Sequence, residues 1–171
     1  VNGYEVLGGT DELNKWKEKL NVVISIGSPK IKKLIINNIA SNKNLSFPIL
    51  IHPNVILGDT EYIKIGYGSV ICAGCILTTN IKVEDFVILN LGCTVGHDTV
   101  IGEYSSFMPS VNISGEVNIG NEVYVGTGAK IINQLNIGKQ TTIGAGAVVV
   151  RDLPDRCTAV GVPAKVIKVT L

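Results

Sequence analysis

The sequence predicts a mainly β protein, a solenoid of parallel coils with a small, incomplete α/β subdomain before it. Three observations predict this. Stepping by six from Ile65 gives Ile65, Ile71, Leu77, Val83, Leu89, Val95, Ile101, Phe107, Ile113, Ile119, Val125, Ile131, Ile137, Ile143 and Val149, and every one is apolar. With roughly 40% aliphatic or Phe residues in an ordinary chain, chance gives such a run on the order of once in a million. Four residues after each comes an uncharged, mostly small or β-branched residue, from Ser69 and Cys75 to Thr141 and Ala147. Glycine directly follows the apolar position at 66, 96, 102, 120, 126, 138 and 144. A helix repeats every 3.6 residues and a flat strand every two, so a strict six means a short strand and a turn, iterated.

Residues 1–50 form the first unit. Gly3 to Gly9 reads as a short apolar strand, and Thr10-Asp11-Glu12-Leu13 as a helix start with a capping residue and acidic first turn. Leu13, Trp16 and Leu20 keep helical spacing. Asn21 to Ile26 is a second apolar strand ending at Gly27, and Ser28-Pro29 opens a second helix to about Asn42 whose apolar face is Ile31, Leu34, Ile35 and Ile39. Strand, helix, strand, helix and then Phe47 to Ile51 is an α/β order. Residues 51–150 are solenoid, with an irregular first coil from about His52 to Lys64, and 151–171 form a carboxy-terminal tail. Three hexapeptides supply the three sides of a triangular coil, and stacked coils satisfy one another's backbone at about 4.8 Å.

The 171 residues carry a net charge of +1 without a block of like charges, which implies no nucleic-acid surface and no acidic-lipid patch. No apolar run approaches the roughly 20 residues that span a bilayer, and the amino terminus lacks the pattern of a secretory signal. Cys75 and Cys93 fall in the small inward column, and Cys72-x-x-Cys75 has no second pair and no nearby His. The four cysteines are therefore expected to be free thiols in a reducing cytoplasm.

The hexapeptide ladder, Val149-Val150-Arg151-Asp152-Leu153-Pro154 and Gly161-Val162-Pro163-Ala164-Lys165 together resemble the hexapeptide acyltransferases. Ile51-His52-Pro53, Ile88-Leu89-Asn90, Val95-Gly96-His97-Asp98 and Ser114-Gly115-Glu116-Val117 narrow the resemblance to the sialic acid O-acetyltransferase and nucleotide-sugar N-acetyltransferase group. It covers roughly residues 3 to 168. The resemblance implies a left-handed β-helix, a homotrimer, acetyl-CoA as co-substrate without a metal, and a small sugar acceptor whose amine or hydroxyl is acetylated. The period gives parallel coils but not their hand.

Acetyl transfer from a thioester needs a base, and imidazole suits that near neutral pH. The chain has two histidines. His97 follows Gly96, where the residue leaves the core at a coil corner, so it is the expected base, with Asp98 to orient it. His52 is expected to stabilise entry into the first coil. Asn90 is expected to hold the acceptor. The resemblance further places the CoA arm against Gly115, eighteen residues and one coil from His97, where the missing side chain leaves room for pantetheine or an N–H for the thioester carbonyl. Thr127 and Ala145 continue that groove, and Lys165 meets a CoA phosphate. Two departures stand out. Many members carry a second histidine nine residues after the base, where this chain has Ser106, whose hydroxyl still donates a hydrogen bond near the thioester. The Gly-rich nucleotide loop of the group's amino-terminal domain is absent. A metalloenzyme of the γ-carbonic anhydrase kind needs three His per zinc, more than this chain holds. A non-catalytic scaffold or binding module is the alternative reading.

Overall fold

In the computed structural model, which describes residues 2–170, the ladder winds into three parallel sheets around one core. The first sheet holds Leu50–Ile51, Val70–Ile71, Ile88–Leu89, Ser106–Phe107, Tyr124–Val125 and Thr142–Ile143. The second holds Ile56–Leu57, Ile76–Leu77, Thr94–Val95, Asn112–Ile113, Lys130–Ile131 and Val148–Val149. The third holds Ile63–Ile65, Ile81–Val83, Val100–Ile101, Asn118–Ile119 and Asn136–Ile137. Strands pair with those one coil away, Thr94 with Asn112 and Val100 with Asn118. The first coil is irregular: Leu50 pairs with Val70 but Ile63 with Ile81, so two extra residues are taken up between Leu57 and Ile63.

Both columns of the repeat point inward. Ile71 to Val149 of the apolar column are buried, as is the whole second column from Ser69 to Ala147. At ~1.5–3 kcal/mol per buried aliphatic side chain, this core offsets much of the ordering entropy of a narrow coil. The buried hydroxyls are satisfied by the neighbouring coil: Ser105 Oγ donates to Gly120 O and accepts from Val123 N, each at 3.1 Å. The glycine phase has a steric cause. A Cβ on Gly96 would lie 2.5 Å from Gly115 N, and one on Gly126 would lie 2.5 Å from Ala145 N, because the corners of successive coils touch there.

The tail closes the last coil. Leu153 bridges to Ile137, Cys157–Val160 joins the first sheet beside Thr142–Ile143, and Lys165–Val169 returns antiparallel to it. All four cysteines are free. Among the described residues no helix is long and apolar enough to cross a membrane.

The amino-terminal part departs from expectation in three places. Gly3 to Gly9 forms no strand and is exposed, since it has no sheet to join. Of the Asn21 to Ile26 run, only its start belongs to a ladder: β1 (Leu20–Asn21) pairs in parallel with β2 (Leu45–Ser46). The helices differ too: α1 (Thr10–Lys15) takes Gly9 rather than Thr10 or Asp11 as its N-cap and ends before Trp16 and Leu20, while α2 (Pro29–Ile39) follows Ser28 as expected but keeps only part of its expected face inward. Ile31 and Leu34 are half or more exposed, while Lys32, Ile36 and Ile39 are buried. The helix turns its 32, 36, 39 stripe to the solenoid because Lys32 lays an aliphatic stem against it and its amine finds acceptors there: Ser106 Oγ at 2.8 Å and Ser105 O at 3.2 Å. An aromatic chain continues the contact, Phe47 edge-on to Phe86, and Phe86 stacked on Tyr104 at 5.6 Å.

Burial lowers the Lys32 amine from its ordinary 10.5 to about 7. Between those values the unfolded chain binds more protons than the native one, so Lys32 makes stability rise with pH through that window, its cost being full below about pH 7. Lys32→Met keeps the stem and removes the titration. Thermal melts between about pH 6 and pH 10 should therefore rise in the wild type relative to the variant; parallel curves would contradict this.

Candidate active site

The turns of successive coils stack into three edges. The edge between the second and third sheets carries Asn80, His97, Asp98, Gly115, Glu116 and Gln134, all outside the strands that flank it. His97 projects into solvent from the turn after Thr94–Val95. Side chains of adjacent residues usually diverge, but Asp98 has φ +56°, and this left-handed turn lets its carboxylate curl back to the ring. His97 Nδ1 lies 2.7 Å from Asp98 Oδ2. The other oxygen, Oδ1, accepts from the Nδ2 of Asn80, one coil below. These two partners, His97 first and Asn80 next, hold the Asp98 carboxyl below the usual carboxylate range. An ionised carboxylate only accepts, so Nδ1 is the donor of this pair and Nε2 is the ring nitrogen left facing away from it.

Gly115, on the next coil, is buried against that ring. A Cβ there would lie 2.6 Å from His97 Nε2 and 2.7 Å from Cε1. The room left by the missing side chain, which the sequence assigned to pantetheine, is thus filled by the imidazole itself. Glu116 N donates to His97 O at 2.7 Å, fixing the backbone of the turn.

The remaining expected residues do not gather here. Asn90, Thr127 and Ala145 lie on the edge between the first and second sheets, a full sheet away from His97. Thr127 and Ala145 are exposed on adjacent coils, with Gly146 N donating to Thr127 O at 2.8 Å. Asn90 Oδ1 accepts from Leu91 N at 2.8 Å and so braces its own turn. Lys165 is exposed and pairs with Val160, which packs on Gly144, so it stands at the far end of the Thr127–Ala145 edge. Ser106 is a correction: it sits in the first sheet with no exposed surface, its hydroxyl taken by Lys32, so it does not face a cofactor. His52 Nδ1 accepts from Asn54 N at 3.1 Å and caps the entry to the first coil.

A cavity of about 810 Å³ opens between the start of α2 and the first sheet, lined by Gly27, Ser28, Met108, Tyr124, Gln140 and Arg156. It lies across the prism from the His97 edge. Among the described residues no cluster of three His, Cys, Asp or Glu could hold a metal ion. Two residues of consequence escaped the sequence. Stepping back eighteen from Asp98 would have found Asn80; Lys32 gives no such signal, because a lysine reads as solvent-facing.

No family model matches the chain. It is 34% identical over 132 residues to a GDP-perosamine N-acetyltransferase of Escherichia coli O157:H7, which covers 77% of this chain and 58% of that protein. The acetyltransferase domain of PglB from Neisseria gonorrhoeae, solved with acetyl coenzyme A, superposes with a TM-score of 0.90 at 35% identity, over 98% of this chain and 80% of that one. The chain belongs to the hexapeptide-repeat acyltransferases. Its solenoid is the left-handed β-helix of that family. PerB from Caulobacter crescentus, in complex with CoA and GDP-perosamine, matches with a TM-score of 0.82 at 31% identity over 86% of this chain and 70% of its own. The chain spans 58% of the length of its E. coli relative.

In this hexapeptide-repeat chain the ring of His97 depends on a bare Gly115. Gly115→Ala should expel the ring and break its contact with Asp98 while changing stability by no more than about 1 kcal/mol. A crystal structure and a thermal melt of the variant check this; a ring left in place, or an unfolded protein, would contradict it.

Proposed function

We propose that this chain is an acetyl-CoA-dependent acetyltransferase that acylates the amine of a nucleotide-linked amino sugar, with His97 as general base. The observation that carries the reading is the exposed imidazole of His97, held at Nδ1 by Asp98 and presenting Nε2 against Gly115. The relatives solved with CoA or acetyl-CoA, one of them also with GDP-perosamine, support the substrate classes.

The acceptor amine attacks the thioester carbonyl of acetyl-CoA as Nε2 removes its proton. The negative charge that develops on the carbonyl oxygen is met by backbone N–H groups at the coil corner. The C–S bond then breaks, the imidazolium returns its proton to the departing thiolate, and the N-acetyl sugar and CoA leave. Asp98 offsets the positive charge on the ring while it carries that proton. A hydroxyl acceptor such as sialic acid would follow the same proton path.

Two edges take part in this reading, and one copy keeps them apart. His97 and Gly115 stand on one, Asn90, Thr127, Ala145 and Lys165 on the other. A homotrimer, with the His97 edge of one copy facing the Thr127–Ala145 edge of the next, forms a cleft that a single narrow prism lacks. The free cysteines fit a cytoplasmic enzyme.

A thiol-release assay with acetyl-CoA against GDP-perosamine, other nucleotide amino sugars and sialic acid tests the proposal. Turnover is expected with a nucleotide amino sugar, and His97→Asn should lower kcat by about 10²–10⁴ while the protein stays folded. Full turnover by His97→Asn, or no thiol release with any acceptor, sinks it.

A further inference from the structure

Resting on the reading of His97 as the base, we propose that Asn80 is a positioning residue of the same site, which acts on His97 through Asp98. The geometry points to it. Asn80 lies eighteen residues before Asp98 and so one coil directly beneath it. Its Nδ2 donates to Asp98 Oδ1 while the other oxygen of the same carboxylate, Oδ2, takes the Nδ1–H of His97 at 2.7 Å. The three side chains therefore form one line, amide to carboxylate to imidazole, across two coils.

The line needs Asn80 because Asp98 is otherwise poorly held. The Asp98 and His97 side chains are each about half exposed, 49% and 55%, so water competes for every bond that fixes them. Asp98 N is tied by a long bond to Thr79 O at 3.3 Å, which holds the backbone and leaves the carboxylate free to rotate. An amide on one oxygen removes that rotation and leaves the other aimed at Nδ1. Keeping the proton on Nδ1 is what frees Nε2, since free imidazole otherwise favours the proton on Nε2. Asn suits the place twice: its φ is +50°, a left-handed turn that Asn tolerates, and its amide donates where an acid would repel. The same corner column continues with Glu116 and Gln134, where Gln134 Nε2 donates to Glu116 Oε2 at 3.2 Å. That pair has no imidazole to serve, so the amide-to-carboxylate bond recurs on the edge but reaches a base only at Asn80.

The test uses two variants that keep the turn. Asn80→Gly removes the side chain and accepts the positive φ. Asn80→Asp keeps size and shape but cannot donate when ionised. The chain has only His52 and His97, so ¹⁵N NMR resolves each ring and reads its tautomer without any substrate. His97 in the wild type is expected to carry its proton on Nδ1, and both variants should shift it towards Nε2 with His52 unchanged. With acetyl-CoA and GDP-perosamine, kcat should fall about threefold to tenfold, what one ordinary hydrogen bond is worth, with KM for acetyl-CoA unchanged. If Asn80 only fills space, Asn80→Asp restores the wild-type tautomer and kcat, and that result overturns the proposal. If His97→Asn is inactive while both Asn80 variants match the wild type, the proposal falls and the reading of His97 stands. Should His97→Asn keep full turnover, the catalytic reading falls and takes the role of Asn80 with it.

Discussion

Each coil of this solenoid takes its backbone partners from the coil eighteen residues on, as Gly96 N does from Ile113 O at 2.9 Å and Gly126 N from Ile143 O at 2.8 Å. That register cannot slip by one residue without turning an apolar column outward. Everything at the corners inherits it. Gly115 stacks on His97 from the next coil and Asn80 on Asp98 from the preceding one because the strands on either side are locked, not because the corner residues attract one another strongly. The exposed bonds among His97, Asp98 and Asn80 are individually weak in water. They hold because the backbone delivers the partners already aligned.

The same rule separates as well as joins. Steps of eighteen keep residues on one edge, whereas seven residues from Asn90 to His97 cross a whole sheet. Within one prism His97 stands on one edge and Thr127 and Ala145 on another, which is why the proposed function brings them together across two copies. Lys32 has a different part. By burying its stem against the first sheet and giving its amine to Ser105 and Ser106, it fixes α2 on the solenoid and sets one wall of the cavity at Gly27 and Ser28.

The solenoid was legible because its rule is periodic. Both inward columns, the irregular first coil and the corner position of His97 could be counted from the chain, and so could the stacking of Gly115 over His97. What filled the space at Gly115 could not, since the reach of an imidazole towards its neighbour depends on the left-handed turn at Asp98. The amino-terminal part was less legible. Of the face expected for α2, Ile39 is buried and Ile35 packs beside it, but Ile31 and Leu34 are exposed and Lys32 is buried instead, because its amine met a hydroxyl and a carbonyl from residues over seventy positions away. Ser106 was misjudged for the same reason. A residue standing nine after the base seems close to it in sequence, but nine residues carry the chain to another face of the prism.

A crystal structure of the protein with bound CoA tests the central claim most directly. The account predicts that CoA lies between two copies, its thiol end at His97 and Gly115 of one protomer and its pantetheine arm along Thr127 and Ala145 of another. CoA held entirely by one protomer, or seated in the cavity lined by Gly27 and Arg156, would contradict it.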